Sequence, residues 1–428
     1  MLTQANNELL TRTGRGTTMG DLFRRYWIPA LLAEELPDND CPPVRVKILS
    51  ERLVAFRDTQ GRLGLIDEFC AHRGVSLWFG RNEESGLRCP YHGFKYDVTG
   101  QCVEVPAEPE GSTFCERVKL TAYPLVKVGD ILWTYMGPPE FTPGLPSYEF
   151  ATVAFDQSFT SKRWQESNWL QALEGGIDSS HVSFLHSSGL RDDPLFKGSV
   201  GNTYNLNDLK PHFEVVDVDG GLLIGARRNA EEGKFYWRVT PWILPSFTIV
   251  PPRADHPVHG HFWVPIDDEN CWVYTFDYHP VRPLSDKEVQ AMRDGKGVHN
   301  EYVPGTFRPL ANKDNDYLID REAQRRGDTY SGVKGIAIQD GSLQESMGPI
   351  VDRTKERLVA TDVGIVKARH KLRAAALALK EHGVTPPGVD PEHQRVRSFA
   401  SVASSDIPLE EITPVATAVR PGVAHVSV

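Results

Sequence analysis

The 428-residue sequence lacks several features that would place it in particular classes of protein. It has no run of eighteen apolar residues that could cross a membrane, and its start lacks the apolar stretch of a secretory signal. No block of basic residues is present, and the formal net charge of −10 argues against nucleic-acid binding. Its six cysteines are too few for a disulfide scaffold in a chain of this length. We therefore expect a soluble cytoplasmic protein whose cysteines are thiols or metal ligands.

The pattern of residue types along the sequence divides the chain into three parts. Residues 1–150 begin with a short helical segment that Pro29 interrupts and continue as short strand-like runs separated by turns, which predicts a small all-β domain. In residues 151–385, a helical stretch over 165–187 and a later one flank strand-like runs, which predicts an α+β domain. Residues 386–428 are rich in Pro, Ser, Val and Thr without periodicity, so we expect an extended or partly disordered tail.

Two short motifs in the first part each offer one cysteine and one histidine. The first, CAHRG, contains Cys70 and His72, and the second, CPYHGF, contains Cys89 and His92. In a Rieske centre two thiolates hold one iron of a [2Fe–2S] cluster and two imidazoles hold the other. A structural zinc site could use the same four side chains. The glycine after each pair favours the cluster, because it lets the backbone approach and donate N–H groups to the sulfides.

A second group, formed by Asp178, His181 and His186, also has the chemistry of a metal site. Asp178 and His181 are three residues apart, so on a helix they share a face and can interact directly. Both histidines can bind one metal only if the helix is distorted or ends before His186. Two imidazoles and one carboxylate on one face of Fe(II) leave open positions for dioxygen and substrate. The group therefore predicts a non-haem iron site that needs a further, distant carboxylate.

Together the two motifs resemble those of the Rieske ring-hydroxylating oxygenases. The Cys-x-His-Arg-Gly and Cys-Pro-Tyr-His-Gly-Phe segments are followed by an Asn-Trp start and then by Asp-x-x-His-x-x-x-x-His, in the family's order. The segments GDLFRRYWIP (20–29) and GPIVDRT (348–354) resemble the phthalate dioxygenase branch. The resemblance implies an α+β chain with an all-β Rieske domain and a helix-grip (START-like) catalytic domain. It also implies a [2Fe–2S] cluster and a mononuclear Fe(II).

The third iron ligand is predicted with help from this resemblance. Our choice is Asp340, because it precedes the helical stretch GSLQESMGPIVDR and resembles the position of the family's ligand aspartate. Asp352 and Glu345 are the alternatives. All three lie far along the chain from the histidines, so their distance from the iron depends on the fold.

The resemblance further implies how electrons reach the iron. The family's subunits form rings, a homotrimer or a stacked hexamer, in which the cluster of one chain serves the iron of its neighbour. Asp178 would hydrogen-bond His181 and His92 of the neighbouring subunit, and Asn168 is expected to belong with Asp178 to the catalytic group. A carboxylate that orients a ligand imidazole also makes chemical sense without the resemblance.

The implied activity is that of the oxygenase component of a multicomponent system. Electrons would come from NADH through a separate flavin and iron–sulfur reductase, because no G-x-G-x-x-G follows a strand here. The expected reaction is dihydroxylation of an aromatic carboxylate by O2. The alternative is a monooxygenase that demethylates an aromatic ether or hydroxylates a side chain. An electron carrier or zinc module would not need the second motif.

An arginine is the natural partner of a substrate carboxylate, because its guanidinium can bind both oxygens. Arg238 in FYWRV is the candidate, since a charge among strand aromatics could point into a cavity. An outward position or an ion pair explains the same pattern equally well under strand alternation. Arg227 and Arg228 are weaker candidates.

Overall fold

A computed structural model describes residues 2–427 of the chain. Its N-terminal part contains two helices and eleven short strands: α1 Gln4–Thr11, α2 Thr18–Phe23, β1 Trp27–Leu32, β2 Val44–Ile48, β3 Glu51–Arg57, β4 Leu63–Asp67, β5 Arg81–Glu83, β6 Gly86–Arg88, β7 Lys95–Tyr96, β8 Cys102–Glu104, β9 Ala122–Tyr123, β10 Leu125–Val128 and β11 Ile131–Tyr135. They form three antiparallel sheets in the orders β1-β11-β10, β2-β3-β4-β9 and β5-β6-β7-β8. The predicted small β domain is therefore present.

Local sequence explains the tight connections of these sheets. Between β3 and β4 the Asp58 carboxylate accepts backbone N–H groups of Gln60 and Arg62, and Gly61 takes a φ of 79°. Glycine reaches this left-handed conformation without the steric cost that a Cβ brings. This is one of the turns that separate the predicted strand-like runs.

The C-terminal part contains one large sheet with helices packed around it. Its elements are β12 Ser158–Gln165, α3 Trp169–Ile177, α4 Ser187–Asp192, α5 Val200–Asn207, β13 His212–Val218, β14 Gly221–Asn229, β15 Lys234–Ile243, β16 Phe247–Ile249, β17 Val258–Pro265, β18 Cys271–Tyr278, α6 Asp286–Arg293, α7 Arg321–Arg326, α8 Ile336–Ser346, α9 Val363–His382, β19 Phe399–Ser404 and α10 Leu409–Ala416. The sheet order is β12-β18-β17-β16-β15-β14-β13, and β19 pairs with β15. Helices α3 and α8 pack against each other, and α3 also packs on β17.

The two parts share one hydrophobic core. Phe23 of α2 packs edge-on against Trp169 of α3 with ring centroids 4.7 Å apart, and Trp133 of β11 meets Phe262 of β17 at 5.2 Å. Aromatic pairs of this kind add about 1 kcal/mol to the stabilisation that burial of their surface provides. The small β domain is thus fixed against the large sheet by its own aromatic side chains.

Two helical predictions need correction. The leading helix ends at Phe23, because Trp27 and the residues after it pair with β11 as a strand. The stretch over 165–187 holds one regular helix, α3, followed by a 3-10 turn over His181–Ser183. In the first case, pairing of β1 with β11 outweighs the helix-like spacing of the sequence. In the second case, the helix ends where the metal-site residues lie.

The C-terminal segment differs from the predicted extended or partly disordered tail, since it contains β19 and α10. Glu149, 8% exposed, accepts a hydrogen bond from Arg397 Nε at 2.8 Å and faces His425 Nε2 at 3.5 Å. Arg397 also donates to the carbonyl of Val423 at 2.8 Å. Burial opposes ionisation of Glu149, but His425 and Arg397 lower its pKa to about 2. These buried contacts hold the last residues against the catalytic domain, and no pattern in the tail itself reveals them.

No helix within residues 2–427 is both long enough and apolar enough to cross a bilayer.

Candidate metal centres

The two Cys-His motifs form turns with the same backbone hydrogen bonds. In the first, Cys70 N–H donates to Val75 O and Gly74 N–H donates to Cys70 O, both at 2.9 Å. In the second, Cys89 N–H donates to Phe94 O at 2.8 Å and Gly93 N–H donates to Cys89 O at 3.1 Å. Gly74 and Gly93 have φ of 71° and 78°, a conformation that disfavours any residue with a Cβ. The repeated turn explains why a glycine follows each histidine.

The turns bring the four predicted cluster ligands together. Cys70 and Cys89 are buried, whereas His72 and His92 are exposed with ring centroids 4.5 Å apart. The Tyr96 hydroxyl oxygen lies 3.3 Å from Cys70 Sγ. The same oxygen accepts a hydrogen bond from the Ala71 N–H. Two buried thiols beneath two exposed imidazoles fit a cluster whose cysteine-bound iron is inside and whose histidine-bound iron is at the surface.

Helix α3 delivers Asp178 and His181 to the second site. Gly175 and Gly176 let the helix approach its neighbours, because a Cβ on Gly176 would lie 2.1 Å from Trp263 of β17. The helix ends at Ile177, and Asp178 caps it with an extended backbone. The predicted contact between Asp178 and His181 is present at 3.1 Å, but it crosses the helix end and does not lie along one helical face.

His181, His186 and Asp340 converge on one point. The two Nε2 atoms are 3.2 Å apart, and Asp340 Oδ1 lies 3.2 Å from His186 Nε2 and 3.5 Å from His181 Nε2. The three donor atoms all lie within 4.8 Å of one another. Asp340 belongs to α8, as the helical prediction for this region requires, although it lies within the helix and not at its start.

The outer hydrogen bonds show that this group suits a cation. His181 Nδ1 faces Asp178 Oδ2 at 3.1 Å, and His186 Nδ1 faces Gln339 Oε1 at 2.8 Å. Both acceptors favour the tautomer with the proton on Nδ1, so the two Nε2 lone pairs point at each other and at the Asp340 carboxylate. Three electron-rich atoms this close repel one another unless a cation lies between them. Two imidazoles and one carboxylate are the ligand set of non-haem Fe(II) oxygenases.

The charges around the site keep both carboxylates ionised. Burial opposes ionisation of Asp178, but the hydrogen bond with His181 and those from Ser180 lower its pKa to about 2. For Asp340, burial is likewise overcome by the two imidazoles in their protonated form and by the Arg163 guanidinium, so its pKa is held well below its usual range. The site therefore offers a permanent negative charge to a metal at neutral pH.

The other predicted residues of this region have different positions. Glu345 accepts the Glu166 N–H and the Tyr317 hydroxyl, and Asp352 accepts from Thr354. Asn168, predicted in the catalytic group, caps α3 by accepting the Leu170 N–H. It also donates to the backbone carbonyls of Thr11 and Asp268. Its role in the structure is to anchor the start of the helix that ends at Asp178.

A cavity extends from the histidine site into the large sheet. Its wall includes the polar and aromatic side chains of Arg163, Arg238, Arg253, His259, His261 and Trp263. Arg238 and Arg253 are 2% and 6% exposed, and Phe196 stacks on the Arg253 guanidinium at 4.6 Å. In the described part of the chain, Arg238 Nε and Nη1 and Arg253 Nε have no hydrogen-bond partner. Burial, together with the Arg238 charge, lowers the pKa of Arg253 to about 9.

The three candidate arginines differ in their positions relative to the cavity. Arg238 points into the cavity, and no carboxylate within residues 2–427 pairs with it. Arg228 donates to the Ser179 carbonyl at 2.8 Å, and Arg227 pairs with Glu214 at 3.2 Å. Neither lines the cavity.

Sequence reasoning missed Gln339, Arg253 and the two cavity histidines. Gln339 directly precedes Asp340, and its buried side chain orients His186. The alternation His259-Gly-His261-Phe-Trp263 could have indicated a polar face on one strand, since residues two apart share a face. Nothing local marks Arg253, which lies in an irregular connection between β16 and β17.

Family models match almost the whole chain. A model described as "Rieske [2Fe-2S] domain" matches residues 26–124, and one described as "LigXa C-terminal domain like" matches residues 134–414. The second match includes β19 and most of α10, so this part of the C-terminal segment belongs to the family's catalytic domain.

Three oxygenase subunits of known function align with this chain over most of their own length. The 3-chlorobenzoate-3,4-dioxygenase oxygenase subunit of Comamonas testosteroni is 37% identical over 406 residues, 91% of this chain and 92% of that protein. The phthalate 4,5-dioxygenase oxygenase subunit of Pseudomonas putida is 38% identical over 424 residues, 95% and 94%. The 5,5'-dehydrodivanillate O-demethylase oxygenase subunit of a Sphingobium species is 31% identical over 384 residues, 87% and 80%.

A solved structure shares the fold. Dicamba monooxygenase bound to 3,6-dichlorosalicylic acid aligns with 84% of this chain and 99% of its own, at a TM-score of 0.58 and 17% identity. With the family models and relatives, this confirms the predicted family, fold class and cofactors. The chain therefore belongs to the Rieske non-haem iron ring-hydroxylating oxygenases, as an oxygenase (α) subunit of the phthalate dioxygenase-like branch with a [2Fe–2S] cluster and a mononuclear iron.

Proposed function

We propose that this enzyme dihydroxylates an aromatic carboxylate. As an oxygenase component it uses O2 and electrons from a separate reductase, which we assign to the NADH-dependent flavin and iron–sulfur type. The NADH supply places the system in the cytoplasm. The observation that carries the substrate class is the pair of buried guanidinium groups, Arg238 and Arg253, that face the cavity without a carboxylate partner in the described chain.

We assign Cys70, His72, Cys89 and His92 as ligands of the cluster and His181, His186 and Asp340 as ligands of the iron. When bound, the cluster passes single electrons and Fe(II) activates dioxygen. The chain's own contribution is to fix these ligands: Asp178 and Gln339 hold the two imidazoles by their Nδ1 atoms. Such outer contacts set the tautomer and the direction of each ring.

The cavity wall supports an anionic, planar substrate. Burial of a cation without a partner costs free energy. A substrate carboxylate that accepts hydrogen bonds on both oxygens from one guanidinium removes that cost. Burial, together with nearby Arg163, lowers the pKa of His261 to about 3, so this side chain is neutral at pH 7. Arg238 and Arg253, with Arg163 on the same wall, then supply the positive charge near Trp263, whose ring offers an apolar surface to an aromatic ring.

We propose that the subunits assemble head to tail in a ring, as a trimer or a stacked hexamer. Tyr91, whose ring centroid lies 4.0 Å from that of His92, is 55% exposed. Next to His181 a wide apolar recess contains Phe184 and Tyr330, which are 39% and 60% exposed. Apolar groups exposed at both centres support contact between the cluster of one chain and the iron site of the next, with Asp178 between them.

The activity is tested by reductase-coupled oxygen uptake on iron-replete protein. The substrates are phthalates, halobenzoates, phenoxybenzoates and methoxybenzoates, and each product is identified by mass. We expect a carboxylate to stimulate uptake and to gain two oxygen and two hydrogen atoms. Asp340→Asn should abolish turnover and iron binding, whereas the matched Asp352→Asn change, outside the triad, should leave both unchanged. No carboxylate-dependent uptake by a protein with a reducible cluster would refute the substrate class.

A second candidate function is O-demethylation of an aromatic acid. It is favoured by the 31% identity to an O-demethylase oxygenase subunit. In the same assay a methoxybenzoate would lose its methyl group as formaldehyde, keep the methoxy oxygen as a phenolic hydroxyl, and gain no further oxygen. The product mass therefore separates the two activities.

The bridging role of Asp178 has its own test. Asp178→Asn keeps the shape of the side chain and removes its charge. We expect both metals to remain bound while coupled turnover stops. Retained turnover would refute the bridge, and loss of iron would show that Asp178 acts only by orienting His181.

A further inference from the structure

The Rieske domain contains a second pair of cysteines, outside the two cluster turns. Cys102 lies in β8, and Cys115 lies in a 3-10 turn over Phe114–Arg117. Their sulfur atoms are 3.7 Å apart, and both residues are free thiols. Because bonded sulfurs lie about 2.0 Å apart, a gap of less than about 2 Å separates this pair from a disulfide. The established chemistry of the enzyme uses neither thiol.

The backbone on both sides of the pair is held in place. Cys102 N–H donates to the Val118 carbonyl at 2.9 Å. The Gln101 side chain donates to the carbonyls of Cys115 and Val118 at 2.7 and 3.1 Å. These contacts keep the two thiols side by side. The segment that connects them, residues 106–113, is an exposed loop. Formation of the S–S bond needs rotation of the two cysteine side chains and only a small shift of the backbone around them.

The two sulfurs differ in access. Cys102 is 2% exposed in the domain core, whereas Cys115 is half-buried at the end of the exposed loop. An oxidant from solvent therefore reaches Cys115 first, and Cys102 is the only sulfur that the described contacts of Cys115 bring next to it.

We propose that Cys102 and Cys115 form a reversible thiol–disulfide pair that hydrogen peroxide oxidises. The Cys115 sulfur attacks one peroxide oxygen, so that an S–O bond forms, the O–O bond breaks and water leaves. Cys102 then attacks the Cys115 sulfur, an S–S bond forms, and the oxygen departs as a second water with the Cys102 proton. Two thiols lose two electrons and two protons, and one peroxide becomes two waters. Peroxide is the two-electron reduction product of O2, so an oxygenase generates this oxidant when it reduces O2 by two electrons without oxidising substrate.

The pair is connected to the cluster turns by direct packing. Phe114, next to Cys115, contacts Phe94 at 6.0 Å between ring centroids, and Phe94 stacks on His72 at 4.8 Å. Pro106 of the same loop lies against Gly93, where a Cβ would approach its Cγ to 2.8 Å. A disulfide would fix this loop against the second cluster turn, so the modification acts on the part of the domain that carries electrons.

The test uses the holoprotein with its cluster, treated with a small excess of hydrogen peroxide, alkylated and digested with trypsin. Cys102 and Cys115 then lie in one peptide, residues 96–117, which contains no other cysteine and no internal Lys or Arg. We expect this peptide to lose two hydrogens, to escape alkylation, and to regain both thiols with dithiothreitol. Cleavage after Glu110 should leave its two halves joined until the bond is reduced.

Two variants make the result decisive. Cys115→Ser, at a half-buried position, should retain the visible circular dichroism of the cluster and lose the linked peptide completely. Cys41→Ser, a half-buried thiol outside the pair, should form the link to the same extent as the parent protein. The proposal is overturned if peptide 96–117 stays fully alkylatable, or if Cys115 accumulates as sulfinic acid while Cys102 remains a thiol.

Discussion

Replacing Arg238 by methionine should raise the stability of the substrate-free enzyme and weaken its binding of substrate. Arg238 is 2% exposed, and its Nε and Nη1 atoms have no partner within residues 2–427. Removing an uncompensated buried cation in favour of an apolar side chain of similar length should raise the free energy of unfolding by about 1–2 kcal/mol. The lost hydrogen bonds to a carboxylate are worth about 1.5–3 kcal/mol, so KM should rise roughly 10- to 100-fold.

The assay combines initial rates of reductase-coupled oxygen uptake over a range of substrate concentrations with urea unfolding of the same preparations. Arg227→Met is the matched control, because Arg227 lies on the next strand, pairs with Glu214 and does not line the cavity. It should leave KM unchanged and alter stability by no more than about 1 kcal/mol. If Arg238→Met lowers stability and leaves KM unchanged, Arg238 is a structural residue and the carboxylate argument fails.

Two further predictions follow from buried polar contacts. Gln339→Leu removes the acceptor that orients His186, and it should weaken iron binding about 10- to 100-fold in a calorimetric titration with Fe(II), whereas Gln324→Leu, on the exposed helix α7, should not. Glu149, with a folded-state pKa of about 2 against an ordinary value of 4.5, contributes stability that is complete above about pH 4.5 and is lost as the pH falls towards 2. This contribution is about 3 kcal/mol, so the Glu149→Gln variant should show a flatter fall of unfolding free energy with acid than the parent; equal slopes would contradict the assignment.

The metal-site residues could be predicted to different degrees from the sequence. Cys70, His72, Cys89 and His92 lie within two short turns, so residue type and spacing are enough to group them. Asp340 is far along the chain from the histidines, and its choice depended on its position before a helical stretch and on the family resemblance. The structure brings it within 3.2 Å of His186 because α8 packs against α3.

What the sequence did not reveal depends on contacts between distant segments. Arg253 lies in an irregular connection, so no periodicity indicates that its guanidinium faces the cavity. The segment FASVAS (399–404) shows weak alternation, yet it pairs with β15 because the sheet offers an open edge there. Asn168 was assigned to the catalytic group with the Asn-Trp start that resembles the family, whereas its hydrogen bonds show a helix cap. Local patterns identify ligands and turns. The shape of the cavity and the folding of the C-terminal segment into β19 and α10 depend on tertiary packing.

The most direct test of the central claim is turnover under 18O2 with the reductase and the best aromatic carboxylate of the panel. If the enzyme is a ring-dihydroxylating oxygenase, each product molecule will carry two 18O atoms and two added hydrogens and will retain its carboxylate. A product that carries one labelled oxygen, or release of formaldehyde without ring hydroxylation, would contradict dihydroxylation and assign the enzyme to the monooxygenases.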